Sequence, residues 1–318
     1  MQQIFTNSLG TFVFDGKVVD KMLFSSPAEA LKSLLLIEKG EVLSAEKELQ
    51  KKHPNAKIDR ILTEEILAAF KPEANDFFLA NLLLTKRKLR EGVNDDMLII
   101  QSINAVEELN KVSNLMAKRL REWYELYNPE FSKSLANHEA FVKLILTKSK
   151  HELLKEIKVD EELAMGADLK ESDLKAILDL ALQLKEIYTI REKETKYLET
   201  LMKKACPNVY ALCGELIGAK LLALAGSLDR LSKFPASTVQ LLGAEKALFR
   251  HIRTKSRCPK YGILIQHPLV TKAQKSDKGR VARALADKIS IAAKIDFFKG
   301  EFAGDKLKKA LESKFGEW

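Results

Sequence analysis

Two stretches of apolar residues recur at steps of three and four for longer than a compact globule readily accommodates. In the first, Ile103, Val106, Leu109, Val112, Met116, Leu120, Trp123 and Tyr127 form one stripe on a helix of some 30 residues, which opens at Asn94-Asp95-Asp96 and closes at Asn128-Pro129. In the second, Leu174, Ile177, Ala181, Leu184, Tyr188, Arg191, Thr195, Leu198 and Met202 continue the alternation over four heptads. Such a seam argues for a coiled coil. Two long helices with shorter ones between them predict an antiparallel pair, its stripe covered within one chain or by self-association. Arg191 and Thr195 interrupt the seam with polar side chains. They either fix register or mark an exposed stretch, and the reading leans to the second. Residues 135–157 read as one shorter helix.

The stretch before the stripes, 1–94, reads as mixed α/β. Ile4-Phe5 and Thr11-Phe12-Val13-Phe14 are β-prone, Asp15-Gly16 is a tight-turn dipeptide, and Val18-Val19 and Met22-Leu23-Phe24 continue beyond it, which predicts a hairpin. Ser26-Pro27-Ala28-Glu29 then offers a helix cap, proline at the first helical position and glutamate three residues after the cap, with Gly40 as the stop. A second, charged helix is predicted over 41–52. Beyond the seam, 206–318 opens on an apolar helix with Gly214, Gly218, Ala219, Ala223, Ala225 and Gly226, small residues that permit close helix packing. Phe234-Pro235-Ala236-Ser237-Thr238 breaks and restarts the chain, Gly243-Ala244-Glu245 opens a further helix, and Lys278-Gly279-Arg280 starts a last one running to about 298. The fold class predicted is mainly α: a small α/β domain over 1–94, long antiparallel coiled-coil helices over 95–205, and an all-α domain over 206–318.

Charge separates the same segments. Residues 206–318 hold 21 Lys/Arg against 10 Asp/Glu, whereas 1–205 hold 32 against 34. The whole excess of +9 therefore lies in the last third. Between 220 and 288 there are 15 cations and four acids. A polyanion partner explains such asymmetry, because phosphate contacts need many cations on one face. A well-solvated lysine surface has the same balance. Phe249, Tyr261 and His267 interleave with the charges and are candidates to stack on unpaired bases, with packing in the core as the alternative.

Motifs of catalysis are absent: no GxGxxG, GxxxxGK[ST] or GxSxG occurs. His53, His138, His151, His251 and His267 do not stand at metal-ligand spacing, and Cys206, Cys213 and Cys258 form no CxxC pair. No enzyme is expected, and no cofactor. No window approaches 18 uncharged apolar residues, so no membrane span is expected; no secretory signal is visible, and a cytoplasmic location is expected, or a nuclear one.

One block is more specific than any of these patterns. GELIGAKLLALAGSLDRLSKFPASTVQLLGAEKALFR (214–250), followed by CPKYGILIQHPLV (258–270) and KGRVARALADKISIAAKIDFF (278–298), resembles the Nop domain in order and spacing. NDDMLIIQSINAVEELNKVSNLMAKRLREWYELYNPE (94–130) is similar to the coiled-coil entry of the same proteins. The resemblance extends over nearly the whole chain and points to the archaeal Nop-family scaffolds of box C/D small ribonucleoproteins, whose eukaryotic counterparts are nucleolar. It implies an amino-terminal domain that holds fibrillarin, the methyltransferase that carries S-adenosylmethionine, and a coiled coil that makes a homodimer. It also implies a Nop domain that binds a kink-turn guide RNA together with a small kink-turn-binding relative of a ribosomal protein, for 2′-O-methylation directed by base pairing. The positions that carry over to this RNA and protein contact are Gln240, Gly243, Ala244, Glu245, Lys246, Phe249, Arg250, His267, Lys278, Arg280 and Arg283. Lys246, Arg250, Arg280 and Arg283 are the phosphate candidates, Gly243 and Ala244 suit close backbone approach, and Glu245 faces a protein or caps a helix. Many relatives continue into a lysine-rich tail, whereas this sequence stops at Phe315-Gly316-Glu317-Trp318. Three other readings compete: the spliceosomal branch of the same family, which lacks a fibrillarin-holding domain; a stand-alone RNA-modifying enzyme; and a purely structural coiled coil.

Overall fold

The computed structural model describes residues 2–59 and 74–316. Glu317 and Trp318 lie outside them. The chain divides into two compact units, Met1–Asn94 and Asp95–Trp318.

In the first unit, β1 (Gln3–Thr6), β2 (Gly10–Phe14), β3 (Val18–Leu23) and β4 (Lys57–Ile58) form a sheet of order β3-β2-β1-β4. The β2–β3 hairpin turns at Asp15-Gly16, where Asp15 N donates to Lys17 O at 3.0 Å, and a bulge at Val13/Phe14 shifts the register. β4 pairs in parallel with β1, a contact between residues more than 50 positions apart that local periodicity does not reveal. α1 (Pro27–Glu38) begins as expected: Ser26 Oγ accepts the Glu29 amide. The Glu29 carboxylate, however, closes on Ser25 and not on the cap residue. α2 (Ser44–Lys52) is shorter than predicted. It is fixed to the sheet by the buried Glu46, which accepts from Thr6 Oγ1 and from Leu43 N, both at 2.9 Å. Ile4, Val13, Leu49 and Ala56 fill the space between, and α3 (Ala74–Glu91) completes the unit.

The second unit is all helical among the described residues. α4 (Asp95–Tyr124) and α8 (Glu171–Ala205) are the two long helices. They run antiparallel: Lys204 reaches Asp95 at one end, and Arg191 reaches Asn110 farther along. Between them lie α5 (Pro129–Ser134), α6 (His138–Thr147) and α7 (Lys150–Glu156). The single helix expected over 135–157 is therefore two. Ser149 breaks it with a capping box, its Oγ accepting the Glu152 amide while Glu152 accepts the Ser149 amide at 2.8 Å. This end has its own core, with Leu120, Tyr124, Phe141, Leu153, Ile177 and Leu184. Arg191 is not a bare exposed stretch. It lies over Tyr188 at 5.1 Å and donates to Glu139 at 2.9 Å and to Asn110 at 3.3 Å.

The other ends of the long helices enter a second core, in which Ile99, Ile103, Leu198 and Met202 join the C-terminal helices. These are α9 (Pro207–Ala225), α10 (Leu228–Lys233), α11 (Ala236–Leu241), α12 (Glu245–Thr254), α13 (Pro268–Lys272), α14 (Lys278–Phe297) and α15 (Gly304–Phe315). α14 is not the last helix, since α15 follows it and buries Leu311. α9 is long and apolar enough to cross a membrane by length and composition, although Glu215 and Lys220 lie within it. It is the central core helix here, and its small residues permit close contact: a Cβ on Gly218 would meet the Met202 methyl at 2.7 Å. Asp296, near the end of α14, caps the start of α9 by accepting from Asn208 N, Asn208 Nδ2 and Val209 N at 2.7–3.1 Å. Burial raises its pKa, and the three donors oppose that rise.

Candidate nucleic-acid interface

α12 differs from its neighbours in having no buried residue. Its sequence is strongly amphipathic, yet the apolar stripe faces away from the core. Phe249 is 60% exposed and Ile252 70% exposed. An apolar face of this kind, flanked by cations, marks an interaction surface more often than a packing defect. Lys246 and Arg250 are exposed on the same helix. Arg253 stands over the Phe249 ring at 5.6 Å, and Lys255, Arg257 and Lys260 follow in the loop. Among the described residues none of these six cations has a carboxylate partner, in contrast to Lys220, paired with Glu107 at 2.8 Å, and Lys233, paired with Asp229 at 2.7 Å.

Backbone geometry holds this surface in place. Gly243 has φ +84°, a conformation costly for any side-chain-bearing residue, and it turns the chain from α11 into α12. Its amide donates to Glu245 at 2.6 Å, so Glu245 stabilises the turn and lies at the helix start, where a negative charge is favoured. Ala244 is the residue before the first turn and makes no side-chain cap. Gln240 is buried. Its Nε2 donates to Lys260 O at 2.5 Å, Gly262 N returns to Gln240 O at 2.8 Å, and Ile263 N donates to Leu242 O at 2.8 Å. The basic loop is thus tied at its far end to the turn that launches α12. A Cβ on Gly262 would overlap the carbonyl of Leu242, so only glycine permits this approach. The aliphatic stem of Lys260 lies against Gly279, which brings the loop beside Lys278 and Arg280 at the head of α14. Arg280 pairs with Asp277 at 3.2 Å, and Arg283, one turn on, is exposed.

His267 is placed elsewhere. It is 1% exposed and lies in the core, so it presents no ring to a base. Its Nε2 contacts Leu212 O at 2.8 Å, and its Nδ1 accepts the Leu269 amide at 3.2 Å. Tyr261 is half-buried against the same core. Of the expected aromatic contacts, only Phe249 is on the surface. Ile252 and Gly262 join the expected positions at this surface. Ile252 stands three residues after Phe249, a spacing visible in the sequence, whereas nothing local marks Gly262. Burial pushes the thiols of Cys206 and Cys213 up, which makes them packing groups. Among the described residues no group of three His, Cys, Asp or Glu side chains is arranged to hold a metal ion.

An all-helical unit with an exposed, cation-rich helix braced by a glycine-dependent turn defines a class of protein: a helical binding module with a surface suited to a polyanion. The family model "Nop: snoRNA binding domain, fibrillarin" matches residues 105–317, and the chain belongs to this family. A NOP5 family protein of Methanocaldococcus jannaschii is 39% identical over 249 residues, covering 74% of this chain and 60% of the relative. Nucleolar protein 58 of Candida albicans is 41% identical over 220 residues, covering 65% and 43%. The matches thus span from under half to three fifths of the length of these relatives. A solved structure described as a fibrillarin/Nop5p complex aligns over 98% of both chains with 22% identity and a TM-score of 0.45.

Proposed function

We propose that this chain is a non-catalytic scaffold of a box C/D ribonucleoprotein. It joins fibrillarin to a guide RNA and its kink-turn-binding protein, so that the partner methyltransferase, carrying S-adenosylmethionine, can act at a 2′-hydroxyl chosen by base pairing. The observation that carries the reading is α12 and its loop. There a solvent-facing Phe249–Ile252 stripe lies among six cations with no carboxylate partner among the described residues. The apolar stripe suits a protein and the cations suit phosphates, as a composite RNA–protein partner requires.

Two further features support the division of labour. In the first unit β3 is an edge strand, and Val19 and Leu23 on it are exposed, a surface open to fibrillarin. On the long helices Val112, Leu115, Ile190 and Tyr197 are exposed, apolar area that a second copy of the coiled coil would cover. The site of action is the cytoplasm in an archaeon and the nucleolus in a eukaryote. The presence of an α/β first unit favours this reading over the spliceosomal branch.

The test is assembly from purified parts. Lys246→Ala with Arg250→Ala should abolish joining to the RNA and kink-turn protein while leaving the fibrillarin complex intact, each lost contact costing about 1.5–3 kcal/mol. Unchanged assembly removes both residues from the site. Methyl transfer by the chain without fibrillarin would overturn the scaffold reading in favour of an enzyme.

A further inference from the structure

A second cationic feature lies around the head of α14, on the side bounded by α15. A cleft of about 410 Å³ is lined by Lys272 at the end of α13, by Asp277 and Arg280, and by Lys314 at the end of α15. Leu269, Val281 and Phe315 form its apolar wall. Three cations thus face one acid. That acid is already engaged by Arg280, and neither Lys272 nor Lys314 has a carboxylate partner among the described residues. All three cations are exposed, so their charge is available to a ligand.

The cleft is also continuous with the surface described above. Lys260 lies against Gly279, the neighbour in the chain of Arg280, so the end of the basic loop meets the cleft at the head of α14. Cations therefore follow one another from α12 through the loop to the cleft.

We infer that this cleft is a second backbone site for the same RNA, in which Lys272, Arg280 and Lys314 hold a phosphodiester beyond the segment met by α12. The inference rests on the function proposed above and extends the RNA path to the C-terminal helix. A free phosphate shares the chemistry of the ligand. The RNA is favoured because the cations form one track with the loop and not an isolated, enclosed pocket. On binding, the Arg280 guanidinium can keep one N–H on Asp277 and turn others to the phosphate, since it has five donors in a planar fork.

The experiment measures binding of the full chain to a kink-turn RNA loaded with its kink-turn protein, over a series of salt concentrations. Lys272→Ala with Lys314→Ala should weaken binding and flatten the dependence of log K on log salt by about 1.4–1.8, the contribution of two phosphate contacts. Lys306→Ala with Lys309→Ala removes the same charge from exposed positions on α15 outside the cleft, and should leave the slope near that of the parent. If the parent binds and the cleft variant keeps its slope and affinity, the cleft is not an RNA site. An equal change in the α15 control would show a general charge effect and overturn the inference as well. Failure of the parent itself to bind would bring down the scaffold reading, and the second site with it. A parent that binds only free inorganic phosphate, through the cleft lysines, would likewise exclude RNA as its ligand.

Discussion

His267, just before α13, donates its Nε2 proton to the carbonyl of Leu212 in α9 at 2.8 Å. The tautomer follows from the partners: Leu212 O can only accept, and the Leu269 amide on Nδ1 can only donate. The carbonyl needs this partner because α9 leaves helical geometry at Gly214, φ +68°, two residues on. The ring that stood out in the sequence amid basic neighbours is therefore part of the core, repairing a kink.

Replacing His267 should change stability before it changes binding. His267→Ala leaves a buried carbonyl unsatisfied and a void beside it, a loss of about 2–4 kcal/mol. Burial holds the imidazole below its ordinary value of 6.5. The unfolded chain thus takes up a proton that the folded chain resists, and the contribution is whole above that value and lost as pH falls through the folded one. His267→Gln keeps a donor and cannot titrate. Thermal melts recorded from about pH 7 down to pH 5 should fall less steeply for it than for the parent. Equal slopes would show that the ring takes up its proton as readily in the folded chain as in the unfolded one.

Phe249 and Ile252 should behave in the opposite way. Both are largely exposed, so Phe249→Ala with Ile252→Ala should shift stability by no more than about 0.5 kcal/mol per site. If the stripe is the protein-facing part of the interface, the double variant should bind the RNA–kink-turn-protein complex at least about tenfold more weakly. Anisotropy titrations beside urea melts separate the two effects. A destabilised chain with normal affinity would place the stripe in the folding of the protein.

The elements that were legible in the sequence are those in which one local pattern decides the outcome. Leu120, Ile177, Ala181, Leu184, Leu198 and Met202 lie at seam positions and are all buried. The Asp15-Gly16 hairpin and the Ser26 cap were equally local. What was not legible depends on distant partners. β4 is a strand only because β1 is beside it, and Gly262 is required only because Leu242 is. A helix break such as Ser149 was readable in principle, since Ser149 and Glu152 have capping-box spacing, but apolar periodicity ran through it. The burial of His267 was not legible, because the composition of its neighbours says nothing about which way a ring points.

Arg121 makes the coiled-coil end sensitive to a conservative change. Its guanidinium donates to Ser132 O and Leu135 O, both at 2.5 Å, and to His138 Nδ1 at 2.8 Å, and it lies 4.4 Å from the centre of the Phe141 ring. A lysine ammonium cannot span these acceptors or stack in the same way. Arg121→Lys should therefore cost about 2–4 kcal/mol, close to the cost of Arg121→Ala, in denaturant unfolding. A lysine variant within about 0.5 kcal/mol of the parent would show that charge alone suffices there.

Two glycines near the binding surface separate backbone conformation from space. At Gly243 an added Cβ meets Ile263 at 3.4 Å, a tolerable contact, and the cost is the positive φ. Gly243→Ala should therefore lose about 1–2 kcal/mol and leave α12 formed. At Gly262 φ is negative, so strain is not the issue; the new Cβ would overlap the Leu242 carbonyl, and backbone must move. That movement breaks the bonds from Gly262 to Gln240 and from Ile263 to Leu242, which tie the basic loop to the start of α12. Gly262→Ala should then cost more than Gly243→Ala and should release the loop. Hydrogen exchange at the amides of 255–263 reads this directly, with faster exchange in the Gly262 variant alone. Similar exchange in both variants would mean that the loop is held by its side chains and not by this backbone pairing.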